Sequence, residues 1–225
     1  MAREQAQSTK TRKIAAISAG ALVIGLGAVY TLASWNDSEW VWGGAEGGPG
    51  IGTSTFNIQQ NTNPDLVENQ WVDEESNPGG EMTFTPGALA LTPGDVTYAP
   101  VSIRADETSV AGEVELQGAV AADGVDTQDA EDLLWNAIQV DVWVSEGDGV
   151  SAPTCDADFA GAAGATQIVT AAGLDAVASA KQRLEAEAGN VQNYCFAITL
   201  PDDPGNQALQ GRTIAPAWEF AAQSD

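Results

Sequence analysis

Short apolar runs separated by turn-forming residues are the feature that most limits the folds open to this chain. The runs are rich in Val, Ile, Thr and aromatic residues, and Pro, Gly, Asn and Asp interrupt them every ten to twenty positions or so. This pattern is typical of an all-β domain. We expect strands at residues 53–60, 70–73, 81–85, 96–104, 112–121, 138–145, 191–200 and 213–221.

Two of the runs alternate clearly between apolar and polar residues. Val114, Leu116 and Gly118 share one face of the run that begins at Gly112, and a second alternation covers IQVDVWV at residues 138–144. Such strands bury one face and leave the other in water, as in antiparallel sheets. The sequence Thr92-Pro93-Gly94-Asp95 has Pro and Gly at the two central positions of a type II turn.

Two stretches depart from the strand pattern. Residues 126–137 offer Asp126 or Thr127 as an N-cap and place Leu133, Leu134 and Ala137 on one side, which predicts a short helix. The region 167–188 leaves two interpretations open. Its Ala, Leu, Lys and Glu content favours a helix over 174–188, whereas QIVT at 167–170 has strand character.

The N-terminus has the layout of a signal helix. Four basic residues lie within the first thirteen positions, and residues 14–33 carry no charge. The small residues Thr31 and Ala33 occupy the positions that a signal peptidase requires, so we expect cleavage between Ala33 and Ser34. A permanent membrane anchor of about 20 residues is the alternative. The glycines at 20, 25 and 27 and the polar residues after Ala33 favour cleavage, so that only the precursor contacts the membrane.

The sequence TLASWNDSEW at 31–40 resembles the signal peptides processed by SipW-type signal peptidases, which precede the secreted TasA/camelysin-like family of Gram-positive bacteria. The turn LTPGD at 91–95 is similar to a family turn, and NQALQG at 206–211 and WEFAAQ at 218–223 are similar to its closing turn and final strand. The acidic insertions and two cysteines look more like actinobacterial relatives. The resemblance implies a jelly-roll-like β-sandwich and a structural role in an extracellular fibre, biofilm matrix or surface layer.

A Trp-rich arm would follow the cleavage site. Trp35, Trp40 and Trp42 lie within residues 34–42, and a glycine-rich linker, GGAEGGPGIG, follows at 43–52. This organisation gives a signal peptide at 1–33, an arm and linker at 34–52 and a sandwich domain at 53–225. Three interpretations of the arm stay open: the indole rings fold back on their own domain, bind another molecule, or mark a membrane interface in the precursor.

The two cysteines, Cys155 and Cys195, are most simply one disulfide in an exported protein. A loop of about 41 residues closed in this way stabilises a fold by roughly 4 kcal/mol. A redox or zinc site is the alternative, but the pair lacks CxxC spacing and a histidine partner.

The composition excludes many activities. The chain contains no histidine, which removes Ser-His-Asp triads, Cys-His pairs and HExxH zinc sites. Its 32 acidic and 8 basic residues give a net charge of -24, which opposes binding to nucleic acid. The acidic clusters match no EF-hand, so we assign no metal ligand and no cofactor, with a loop calcium site as the alternative. No pair of carboxylates stands out as catalytic, and we expect no enzyme.

These observations lead to a hypothesis of polymerisation controlled by the signal peptidase. Cleavage would free a strand within residues 34–58, in which Phe56 and Ile58 alternate with polar residues, for insertion at the sheet edge of a neighbouring subunit. Head-to-tail insertion makes filaments. Lower pH or calcium should promote assembly by reducing charge repulsion. The alternative is a monomeric secreted adhesion or binding module, including one that depends on calcium.

Overall fold

The computed structural model describes residues 39, 41, 53–63, 65, 66 and 70–225, except for the side chains of 204–206. The chain divides into two compact units, Met1–Gly52 and Thr53–Asp225. Within the described residues, the second unit contains one α-helix, α1 (Leu133–Ala137), short 3-10 turns and these strands: β1 (Ile58–Asn61), β2 (Val96–Ala105), β3 (Gly112–Leu116), β4 (Val120–Ala121), β5 (Gln139–Gly147), β6 (Thr166–Ala172), β7 (Gln182–Leu184), β8 (Val191–Thr199), β9 (Pro216–Ala217) and β10 (Phe220–Ser224).

The larger sheet has the strand order β1-β2-β8-β5-β6, and every ladder in it is antiparallel. Its core face follows directly from the alternation in the sequence. Val140, Val142 and Val144 of β5 are buried, and the paired residues of β8 on the same face are Ile198, Phe196 and Tyr194. Apolar residues at every second position therefore form one continuous buried surface.

The smaller sheet has the order β10-β3-β7, and β4 pairs with β9 beside it. Phe220 of β10 lies opposite Leu116, and Ala217 of β9 lies opposite Val120. Val114, Leu116 and Leu184 are fully buried and share one core cluster with the large sheet. The core between the two sheets confirms the predicted all-β antiparallel sandwich with a short helix. The predicted signal helix lies outside the described residues.

The central strand β8 is buried on both faces, since every residue from Val191 to Ile198 is buried. Cys155 and Cys195 are joined by a disulfide, the pairing predicted from the sequence. Cys195 lies on the outer face of β8, so the disulfide ties the loop after β5 to that face, and Phe159 of the same loop is buried.

The turn at Thr92–Asp95 forms as predicted. The Asp95 N–H donates to the Thr92 carbonyl at 2.9 Å, and Gly94 has a φ of +91°. The Asp95 carboxylate accepts hydrogen bonds from the Thr92 N–H and hydroxyl. These bonds favour the ionised carboxylate and lower the pKa of Asp95.

Several predicted boundaries differ from the structure. Residues 70–73 and 81–85 contribute only the single bridged residues Val72 and Thr85, and the expected strands 53–60, 112–121 and 213–221 are shorter or interrupted. The predicted helix over 126–137 is α-helical only at its last five residues, because Glu131 and Asp132 adopt positive φ angles. Its capping carboxylate is Asp129, which accepts the Leu134 and Trp135 N–H groups; the expectation of Asp126 or Thr127 was wrong.

The helix interpretation of 174–188 was wrong and the strand interpretation of 167–170 was right. Residues 166–172 form β6, and 182–184 form β7. Backbone groups of Leu174, Ala178 and Ser179, between these strands, bind other parts of the sandwich. Tertiary hydrogen bonds thus outweigh the local helix propensity of this segment.

Candidate assembly site

One side of the sandwich, between the edge strands β6 and β7, is closed by the chain itself. The connection 173–181, called here the closing segment, binds both sheets. The Ser179 N–H donates to the Ile168 carbonyl at 2.8 Å, and the Ala178 N–H donates to the Leu116 carbonyl at 3.0 Å. Leu174 of the same segment is only 1% exposed in the core. This side therefore has its core covered and part of its backbone edge paired.

The opposite side, between the edge strands β1 and β10, is only partly covered. A groove of about 1510 Å³ runs between the two edges. Val101 and Ile103 of β2 lie at its base. The remaining lining comes from residues 56–60, 73–84, 87–90, Val120, Ala122, Val125 and 214–222.

The side chains along the groove belong to the core but are only partly covered. On the large-sheet side these are Ile58, Met82 and Phe84, and on the small-sheet side Ile214, Trp218, Phe220 and Ala222. The Trp218 ring centroid lies 4.9 Å from that of Phe196, and the Phe220 centroid lies 4.8 Å from that of Tyr194. Burial raises the pKa of the Tyr194 hydroxyl beneath Phe220, and this hydroxyl donates to Gln182. The groove thus exposes one flank of the aromatic core.

The groove also collects exposed apolar residues. Leu89 is 95% exposed, and Val120 and Val125 are about half exposed; all three line the groove. Apolar residues gathered along a single groove are typical of an interaction surface.

The edge strand β10 has unpaired backbone groups at this groove. The Gln117 N–H donates to the Glu219 carbonyl and the Asp225 N–H to the Ala111 carbonyl, so the odd-numbered residues of β10 face β3. In an antiparallel ladder the intervening residues direct their N–H and C=O groups the other way. Phe220, Ala222 and Ser224 therefore present an open edge, on which no strand of the described chain lies. This edge can accept another strand.

The charged residues that line the groove are all acidic: Asp73, Glu74, Glu75, Glu81 and Glu219. No Lys or Arg lies among the lining residues that the structure describes. The groove therefore combines an apolar interior with a negative rim.

Two of the residues predicted to act in assembly, Phe56 and Ile58, lie at the groove within their own chain. Ile58 begins β1 and pairs with Ala105. A Cβ on Gly112 would lie 2.6 Å from Cε2 of Phe56, so the Phe56 ring sits directly on this glycine of β3. The prediction placed both residues on an inserted strand, whereas the structure places them along the groove of their own domain. The other predicted residues, Ala33, Ser34, Trp35, Trp40 and Trp42, lie outside the described residues.

Sequence reasoning missed Phe84, Trp218 and Phe220 as site residues. The signal was present, because Met82 and Phe84 alternate with Glu81 and Thr83, and Trp218, Phe220 and Ala222 alternate with polar or small residues. Alternation identifies an inward face, but it does not tell whether a second strand covers that face.

Within the described part of the chain, no group of three or more Asp, Glu or Cys side chains is arranged to hold a metal ion. No helix in the described ranges has both the length and the apolar character needed to cross a bilayer. Comparisons with protein-family models and with curated proteins return no match. The family resemblance therefore stays a prediction from short motifs.

Proposed function

We propose that this protein is a secreted structural subunit of an extracellular fibre, biofilm matrix or surface layer. Its subunits would join after signal-peptide cleavage by a SipW-type peptidase, when the freed arm of one subunit enters the groove of the next. The observation that carries the proposal is the difference between the two sides of the sandwich. The closing segment covers one side, and an apolar groove with an unpaired strand edge remains on the other.

A strand added beside β10 would find both hydrogen-bonding groups and apolar side chains in the groove. Phe220, Ala222 and Ser224 supply backbone groups for pairing, and the side chains of Phe220 and Ala222 lie on the core side. Main-chain hydrogen bonds give such an insertion its affinity, and pockets for alternate side chains give it specificity. One arm and one groove per subunit make the contact head-to-tail, which produces filaments.

The arm is best defined as residues 34–52, because β1 begins at Ile58 and pairs with β2 of the same subunit. In an extended strand Trp40 and Trp42 share a face, and Glu39 and Val41 share the other. Two indole rings directed at the groove would bury apolar surface from both subunits. Burial of a large apolar side chain contributes roughly 1.5–3 kcal/mol, so the pair is a strong anchor.

The direct test compares residues 34–225 with residues 53–225, followed by light scattering and electron microscopy across a range of salt and pH. We expect filaments only from the longer protein. The double variant Trp40→Ser/Trp42→Ser should lose assembly, whereas Glu39→Gln should keep it. A protein that stays monomeric in every condition, with or without the arm, would overturn the proposal in favour of a monomeric binding module.

A second test acts on the receiving side. Ala222→Trp should fill the groove beside β10 and stop polymerisation, while its intact arm still enters a wild-type groove. Added in small amounts, this variant should therefore shorten wild-type filaments by capping one end. Val177→Trp is the matched control, because Val177 is exposed on the closing segment. Equal filament lengths with both variants would argue against β10 as the receiving edge.

A further inference from the structure

Residues 73–90, called here the strap, cross the groove from the large sheet to the β4–β9 pair. The strap follows Val72, which pairs with Gln60 of β1, and it reaches β2 where Thr85 pairs with Tyr98. Between these points, the Asn77 side chain donates to the Ala121 carbonyl and accepts the Asp123 N–H, both at 2.9 Å. The strap is therefore attached to the large sheet at its flanks and, through Asn77, to the β4–β9 pair beside the small sheet.

The strap is weakly held along the edge of β2. Strand β1 covers this edge from Ser102 to Ala105, and among the described residues Thr85 alone pairs with the rest of it, at Tyr98. Between Tyr98 and Ser102, the residue directed at this edge is Pro100, which has no N–H to donate. No side chain of the strap is buried. Segments with few buried contacts and few protected hydrogen bonds open at low free-energy cost.

The strap also occupies part of the space that an inserted strand needs. Met82 and Phe84 point toward the core, and Glu81, Thr83 and Thr85 are exposed. The Phe84 ring centroid lies 6.5 Å from that of Trp218, which lies on the small-sheet side of the groove. This contact joins the two walls where the chain leads from β9 into β10.

We propose that the strap is a gate within the subunit: Phe84 holds the Trp218 end of the groove shut, and the strap moves off Trp218 when a strand is inserted. The inference rests on the proposed function, because it assigns the control of entry into the same groove. Free subunits would then expose less apolar surface, and opening of the strap would limit the rate of joining.

A crosslink tests the gate. In Thr85→Cys/Tyr98→Cys, the two cysteines replace directly paired residues, whose Cα separation of about 5.5 Å suits a disulfide. We expect the oxidised variant of residues 34–225 to form filaments at least tenfold more slowly than Thr85→Ser/Tyr98→Ser, and mild reduction to restore the rate. Wild-type protein given the same reductant controls for the Cys155–Cys195 disulfide. Equal rates for the crosslinked variant and its control would overturn the gate.

A second measurement separates failure of the gate from failure of the proposed function. Hydrogen exchange on the free subunit should be at least tenfold faster at Thr85 and Tyr98 than at Arg104, whose backbone pairs with β1. Phe84→Ala should accelerate exchange at Thr85 and Tyr98 and shorten the lag before filaments form. Exchange as slow at Tyr98 as at Arg104 would refute the gate even for a protein that never polymerises. If wild-type protein forms no filaments but exchange at Tyr98 is fast, only the proposed fibre function is refuted.

Discussion

Arg212 and Asp129 form an ion pair in which the guanidinium Nη1 lies 3.1 Å from the carboxylate Oδ1. The Asp129 side chain is only 6% exposed and also accepts the N–H groups of Leu134 and Trp135. The Asp129 carboxylate thus caps the N-terminus of α1 and also binds Arg212, in the segment that leads to β9. Asp129→Asn should lower the free energy of unfolding by about 2 kcal/mol, because hydrogen bonds to a buried charge are weakened together. Urea titration measures the loss, and Asp126→Asn at a nearby exposed position is the control.

The same pair predicts a pH dependence. Burial raises the pKa of Asp129, but the hydrogen bonds from Leu134, Trp135 and Arg212 outweigh it, and the net pKa lies below the ordinary value. The carboxylate therefore contributes stability above the unfolded-state pKa of about 3.9, and this stability is lost as the pH falls through the lower folded value. The difference between wild type and Asp129→Asn should shrink below about pH 4. A constant difference from pH 7 to pH 3 would contradict this assignment.

The Cys155–Cys195 disulfide should account for a large share of the stability. It closes a loop over a sequence separation of 40, for which chain entropy predicts about 4 kcal/mol. Cys155→Ala/Cys195→Ala should unfold at correspondingly lower denaturant, with Ala chosen because Cys195 is fully buried and a serine hydroxyl there would cost additional energy. A loss below about 1 kcal/mol would mean that the loop holds its place without the crosslink.

The sequence was a good guide wherever a strand is built from its own alternation. Val140, Val142 and Val144 predict their buried face directly, and the disulfide joins the two cysteines whose pairing the sequence predicts. Prediction from the local sequence pattern failed where hydrogen bonds to residues distant in the sequence determine the conformation. Leu174 lies in a segment of good helix formers, yet backbone bonds to both sheets hold that segment in a turn and a bend between β6 and β7.

The candidate site was only half predictable. An unpaired edge was expected from the sandwich class, but its position depends on which strands end each sheet, and that order is set by long-range pairing. Phe56 illustrates the limit. Its alternation with Asn57 fits a strand inserted into another subunit, and it fits a residue at the end of a groove equally well. The contact between the Phe56 ring and Gly112 depends on the tertiary structure and cannot be predicted from the local sequence.

The closing segment should behave as part of the core rather than as a loop. Leu174→Ala should cost about 3 kcal/mol of unfolding free energy, because it removes a large side chain that is 1% exposed. Val177→Ala, which changes a half-exposed residue of the same segment, should cost less than about 0.5 kcal/mol. Thermal and chemical denaturation compare the two variants. Similar small losses would indicate that the closing segment is displaceable, and the contrast between the two sides of the sandwich would then disappear.

Charge should control how fast subunits meet. The groove rim is acidic, and the arm carries Asp37, Glu39 and Glu46 without a basic residue, so an arm and a groove that meet as proposed repel each other before contact. At low ionic strength we expect slow filament growth that salt, calcium or lower pH accelerates. Salt screens exposed charges over about 10 Å at 0.1 M, which is enough to remove most of the barrier.

Neutralising the rim should have the same effect as salt. Glu74→Gln/Glu75→Gln/Glu81→Gln should accelerate filament growth by roughly threefold to tenfold at low salt, and the difference from wild type should vanish near 0.5 M salt. Asp158→Asn/Glu187→Gln/Asp202→Asn removes the same number of charges from exposed positions outside the groove lining and controls for net charge. Light-scattering kinetics at several salt concentrations measure both. If the two triple variants accelerate growth equally, total charge controls assembly and the rim has no specific part in it.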